Sequence, residues 1–140
     1  MILLDTNILS ELMLPAPNSR VVAWLDNRSE PELWISSVTV AEIRLGLMLL
    51  PEGKRKETLL LLAEQMFNED FFERCLPFDC EAAAKYARIV SERKSRGRPV
   101  SVEDAQIAAI ALAGGLALAT RNIRDFSNIP ELELINPWEL

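Results

Sequence analysis

Short, unbroken apolar runs alternate with helix-like segments along the chain, and this alternation restricts the fold more than any other feature. Ile2-Leu3-Leu4, Leu33-Trp34-Ile35 within Glu32–Ser36, the segment Arg74–Pro77, Leu116–Ala119 and Leu132–Ile135 read as five short strands. Most are apolar throughout, as strands buried on both faces are. Between them lie helical segments. Asn7–Met13 is followed by a break at Leu14-Pro15-Ala16-Pro17, and Asn18 caps a helix to about Asn27. Ser37 or Thr39 caps the next helix, which Pro51 and Gly53 end. Lys54–Phe67 is an amphipathic helix. Asp79 caps a long one that Gly97 and Pro99 stop. Ser101-Val102-Glu103 opens another, which ends at Gly114-Gly115. Thr120–Phe126 is a loop or short helix. The pattern predicts an α/β fold: one domain over residues 1–140, with a central, mostly parallel five-stranded sheet flanked by helices.

Composition narrows the chemistry. The sequence has 49% hydrophobic residues, enough for a substantial core, and no histidine. The missing histidine excludes Ser-His-Asp catalysis and histidine-containing zinc sites. Cys75 and Cys80 have no companion ligands and are expected as core thiols. The formal net charge of -6 opposes nucleic acid unless a local basic patch or a metal offsets it. No cationic leader precedes the first apolar run, and no apolar stretch approaches the ~18 residues of a membrane span. A cytoplasmic protein with no membrane partner is expected.

The acids carry the functional signal. In parallel sheets ligands bind at the carboxyl ends of strands. Asp5 follows the first strand directly. Glu42 lies one turn into the helix after the second, and Asp104 one turn into an almost wholly apolar helix. Asn122 and Asp125 follow the fourth strand. Each has an ordinary alternative: Asp5 and Asp125 as caps, Glu42 as a solvated position, Asp104 as a partner of its helix dipole. A lone acid on so apolar a helix is nevertheless costly unless paired or metal-bound. Gathered carboxylates repel one another, and a divalent cation removes the repulsion. Oxygen ligands alone select a hard ion, Mg²⁺ or Mn²⁺. Such an ion supports phosphodiester hydrolysis without histidine.

MILLDTNILSE, SSVTVAEIRLG, SVEDAQIAAIA and LATRNIRDF, in this order, together with the closing INPWEL, resemble the PIN-domain ribonucleases. The resemblance is strongest to the VapC-type toxins of toxin–antitoxin pairs, in their FitB-like branch, and spans essentially the whole chain. It implies a homodimer and the toxin component of a type II system. It also implies Mg²⁺- or Mn²⁺-dependent endoribonuclease activity, often on structured RNA such as tRNA. The partner implied is a VapB-like antitoxin whose C-terminal segment blocks the acidic site and whose N-terminal part binds operator DNA.

By the matching motifs Asp5, Glu42 and Asp104 are the catalytic and metal-binding acids. Many relatives carry an acid where this chain has Asn122; Asp125 is the candidate substitute. Thr6, Asn7 and Thr120 are expected to orient the acids or a water. In the implied reaction a metal-activated water attacks the phosphodiester in line and the 3′ oxygen leaves. The alternative is a catalytically idle module that acts only through an antitoxin–DNA complex. A haloacid-dehalogenase-type phosphatase would need a second aspartate where Asn7 stands.

Two further surfaces follow from the sequence. Arg88–Arg98 holds five cations against one acid, and Arg93, Lys94, Arg96 and Arg98, with Arg121, are candidate RNA contacts. Lys54-Arg55-Lys56 reads as an exposed helix start. The helices carrying Leu45–Leu50 and Leu59–Phe67 have more apolar positions than one packed face requires, as a groove for a partner helix would.

Overall fold

The computed structural model describes residues 1–140. Its five strands are β1 (Ile2–Leu4), β2 (Leu33–Ser36), β3 (Cys75–Leu76), β4 (Ala117–Ala119) and β5 (Leu134–Ile135). They form one sheet in the order β3-β2-β1-β4-β5, and every pairing is parallel. The helices are α1 (Thr6–Leu12), α2 (Ser19–Asp26), α3 (Ser37–Met48), α4 (Lys54–Gln65), α5 (Cys80–Ser95), α6 (Val102–Gly114) and α7 (Ile123–Phe126).

The central strand β1 explains the two-faced core. Successive side chains of a strand point to opposite faces. Ile2 and Leu4 join one buried cluster with Ile8, Leu9, Trp24 and Ile43, while Leu3 joins the other with Ile107, Ile110, Leu118 and Phe126. Helices α1 to α4 cover the first face and α5 to α7 the second. Helix α6 buries Ala105, Ile107, Ala108, Ala109, Ile110 and Ala111. Its small residues let it lie close to α5 and the sheet. Gly115 ends it in the left-handed conformation (φ 69°), which costs a residue without Cβ nothing.

The predicted elements are present, with local differences. Helix α3 is capped by Ser36, the last residue of β2, and not by Ser37 or Thr39: the Ser36 hydroxyl accepts from the Thr39 amide at 3.1 Å. One residue thus closes the strand and opens the helix. Beyond Gln65, α4 widens into a π-helical turn over Met66–Asp70. The last strand covers only Leu134–Ile135, because Asn128 and Glu131 both take positive φ and bend the chain ahead of it.

Two expectations fail. Cys75 and Cys80 are free and exposed, not core thiols: Cys75 lies on β3 at the sheet edge, and Cys80 is the first residue of α5. Lys56 is buried rather than part of an exposed helix start. Its Nζ donates to the Met48 carbonyl at 3.1 Å and to Glu52 at 2.8 Å. It satisfies a carbonyl that the end of α3 leaves without a helical partner.

Candidate active site

Because all strands run the same way, the ends of β1, β2 and β4 deliver Asp5, Ser36 and Thr120 to one edge of the sheet. Asp5 is only 3% exposed. It is also the N-cap of α1: Oδ1 accepts from the Thr6 amide at 2.8 Å. Its other oxygen accepts from Thr120 Oγ1 at 2.7 Å and from Asn7 Nδ2 at 3.2 Å. The capping and functional readings of Asp5 are therefore compatible, since a carboxylate has acceptor capacity for both.

A second set of bonds fixes Glu42. Thr6 Oγ1 donates to Glu42 Oε1 at 2.6 Å and lies 3.0 Å from Thr39 Oγ1. Thr39 is fully buried and lies 3.4 Å from the Ser36 hydroxyl. A chain of hydroxyls thus runs from the β2–α3 junction to Glu42. Asn7 links the first set to the end of β4: its Oδ1 accepts from the Arg121 amide at 3.3 Å. The Asn122 amide donates to Thr120 Oγ1 at 3.0 Å. Asp104 lies one turn into α6, where its amide donates to the Ser101 cap at 3.1 Å.

Asp5, Glu42 and Asp104 line one open cleft together with Thr6, Asn7 and Asn122. Burial is the main cause that pushes the Asp5 carboxyl up to about 6; hydrogen bonds from Thr120 and Thr6 act against it, and the charges of Asp104 and Glu42 add to it. Burial also raises Asp104. Its hydrogen bond with Ser101 opposes the rise, and repulsion from Asp125, Glu42 and Glu103 reinforces it.

These acids sense one another without closing into a three-ligand cage. An open set of oxygen donors fits a hydrated hard cation such as Mg²⁺, which takes one or two protein carboxylates and completes its shell with water and phosphate. It does not fit an ion that needs nitrogen or sulfur ligands.

Of the other predicted residues, all but Arg121 fall outside this centre. Asp125 is exposed on α7 and faces a neighbouring cavity, which it shares with Asp104, Arg98 and Arg124. Arg93 is held by the carbonyls of Asp125 (3.0 Å) and Ser127 (2.7 Å), and Arg96 pairs with Glu92 at 2.7 Å. Lys94 and Arg98 are exposed, and Arg121 lines the acidic cleft. Sequence reasoning placed Ser36 at a strand end and Thr39 as a candidate cap but missed their part in the hydroxyl chain to Glu42. It also gave no role to Trp138, which lines the cleft from the closing INPWEL segment.

The PIN domain profile matches residues 2–132. The chain belongs to the PIN domain family. This PIN domain is 45% identical to toxin FitB of Neisseria gonorrhoeae over 99% of each chain. It is 40% identical to a VapC ribonuclease of Sinorhizobium fredii, again over 99% of each. A solved structure of FitAB bound to an IR36 DNA fragment superposes with a TM-score of 0.91 at 44% identity, over 100% of this chain and 97% of the other. No helix of this PIN domain is long and apolar enough to cross a membrane.

Proposed function

We propose that this PIN domain is the toxin of a type II toxin–antitoxin pair and a divalent-metal-dependent endoribonuclease, working as one domain over residues 1–140. The observation that carries the reading is the gathering of Asp5, Glu42 and Asp104, from three separate elements, around one cleft in which their charges repel. The kinship with FitB and with a VapC ribonuclease supports it.

Asp5 and Asp104 would hold Mg²⁺ or Mn²⁺, with Glu42 as a direct or water-bridged partner. Bound there, the ion supplies Lewis acidity towards water and a phosphodiester oxygen. The chain supplies the positioning. Thr120 and Asn7 hold one Asp5 oxygen and the Thr6 amide holds the other, so the carboxylate cannot rotate away. Thr6, backed by Thr39, fixes the Glu42 carboxylate, the candidate acceptor for a proton released in the reaction. Asn122 stands in the cleft where the resemblance would put a further acid, and leaves it one charge less negative.

The partners follow from the same kinship and from two surfaces. A groove of about 850 Å³ runs between α1, α3 and α4, lined by Met13, Leu14, Ile43, Leu47, Leu59 and Leu62. It shares Thr6 and Glu42 with the acidic cleft. An amphipathic segment of a VapB-like antitoxin seated there would reach the acids, and operator DNA would be bound through that antitoxin. The outer side of α3 and its C-cap, with Leu45, Met48 and Leu49 exposed, supports pairing with a second copy.

The test is cleavage of a total tRNA pool by antitoxin-free protein. Discrete products with Mg²⁺ or Mn²⁺, absent with EDTA and absent for Asp104→Asn, are expected. Equal cleavage by wild type and Asp104→Asn would overturn the site.

A further inference from the structure

Arg121 is the one cation among the residues that line the acidic cleft, and Trp138 is the one aromatic. A guanidinium beside Asp5, Glu11, Glu42 and Asp104 would ordinarily pair with one of them. It pairs with none: the ion pairs of the structure are Arg44–Glu64, Lys56–Glu52 and Arg96–Glu92. The Arg121 guanidinium lies instead over the Trp138 ring, 5.2 Å from its centroid. That is within the range of a cation–π contact.

The ring is itself held. The Trp138 side chain packs against the first core cluster, its amide donates to Asn136 Oδ1 at 3.0 Å, and its carbonyl accepts from Arg20 at 3.4 Å. Pro137 beside it is fully buried. The other end of Arg121 is also fixed, because its amide is bonded to Asn7, which bonds Asp5. The side chain therefore spans from the acid network to a rigid aromatic wall, with its charge uncommitted.

We propose that Trp138 is a positioning residue that holds the Arg121 guanidinium off the cleft carboxylates, which keeps the acids free for a divalent cation and the arginine free for an RNA phosphate. The inference rests on the metal-dependent reading above and deepens it. Without the ring, the guanidinium falls onto the acids. It then competes with the metal ion and is lost to the substrate. One substitution would damage two functions, and removing Arg121 as well would repair only one of them.

The experiment is Mn²⁺ binding to metal-free protein by calorimetry, alongside KM and kcat for a total tRNA pool. Leu at 138 keeps apolar packing but has no face for a cation, and Phe keeps the face. Trp138→Leu is expected to weaken Mn²⁺ binding roughly three- to tenfold, the scale of a lost cation–π hold, and to raise KM. Trp138→Phe stays near wild type. Arg121→Ala binds Mn²⁺ at least as well as wild type but has a raised KM. The double variant Trp138→Leu/Arg121→Ala regains Mn²⁺ affinity while its KM stays high.

Unchanged Mn²⁺ affinity in Trp138→Leu overturns the inference. So does a loss that Arg121→Ala fails to restore, which marks mere structural damage. The two readings fail separately. Mn²⁺ binding with this pattern but no RNA cleavage removes the ribonuclease and keeps the positioning role. A wild type that binds no Mn²⁺ removes both.

Discussion

Thr6 stands between two acids of the cleft: its amide donates to Asp5 at 2.8 Å and its hydroxyl to Glu42 at 2.6 Å. One residue thus ties the end of β1 to α3 at a fixed spacing. Thr6→Val keeps the shape and the amide bond but removes the hydroxyl. Glu42 then loses its donor, and Thr39 loses its partner at 3.0 Å. The expected result is a fall in kcat of about ten- to a hundredfold, from a misplaced general base, with little change in KM. Thr6→Ser should recover most of the activity. Steady-state kinetics on the cleaved RNA checks both variants.

The acids make the metal-free protein sensitive to pH in an unusual direction. The Asp5 carboxyl is pushed up to about 6 from an ordinary 3.8. Between these values the folded chain holds a proton that the unfolded chain has released, so stability falls as pH rises through this window. At pH 7 the penalty is on the order of 3 kcal/mol. Asp104 is shifted the same way. Metal-free protein should therefore gain thermal stability on acidification from pH 7 towards pH 5. Asp5→Asn should flatten that gain. Melting curves in EDTA across this range are the measurement.

Divalent cation should reverse the trend. A metal ion that binds only the folded state adds about 2.7 kcal/mol at a hundredfold excess over its dissociation constant. It competes with protons for the same carboxylates, so the gain at pH 7 should exceed that at pH 5. Asp104→Asn should lose most of it. Melting temperatures with and without Mn²⁺ decide the matter, and they need no RNA.

Asn122→Asp adds one more carboxylate to a cleft already lined by Asp5, Glu11, Glu42 and Asp104. Metal-free stability at pH 7 should drop, because the new charge adds to the repulsion. Mn²⁺ affinity should rise a few-fold for the same reason. Calorimetry and melting curves on one variant would show the two effects with opposite signs.

Arg93 and Arg98 separate fold from RNA binding. Arg93 holds the carbonyls of Asp125 and Ser127, so Arg93→Gln should cost about 1–3 kcal/mol of stability. Arg98 is exposed beside the cavity that adjoins Asp104. Arg98→Gln should leave the melting temperature unchanged, weaken RNA binding and reduce its salt dependence. Chemical denaturation and binding at several salt concentrations distinguish the two.

The sheet was readable because parallel strands buried on both sides need continuous apolar runs, and Ile2–Leu4 and Leu33–Ile35 have them. The placement of Asp5, Glu42 and Asp104 followed from topology, since parallel strands deliver their ends to one edge. What sits around those acids was less legible. Ser36 does two jobs in one residue, and the linear pattern showed only the strand end, giving the cap to Ser37 or Thr39. Lys56 looked like surface because charge in sequence does not reveal which carbonyl a long side chain can reach. That Arg93 reaches the carbonyls of Asp125 and Ser127 was hidden for the same reason. Trp138 and Arg121 are distant in sequence, and only the fold brings the ring beneath the guanidinium.

The bond from Thr120 to Asp5 joins residues 115 positions apart, and the Asp5 amide is paired with the Ala119 carbonyl. Asp5 therefore waits for β4, the fourth of the five strands, before its hold is complete. A nascent chain that has passed Asp104 but not reached Thr120 has all three acids and no rigid cleft. If translation stalls there, the product is a nuclease sequence without a nuclease geometry. For a chain read as toxic to the cell that makes it, the order of its strands is a safeguard: the cleft cannot set before β4 has been made.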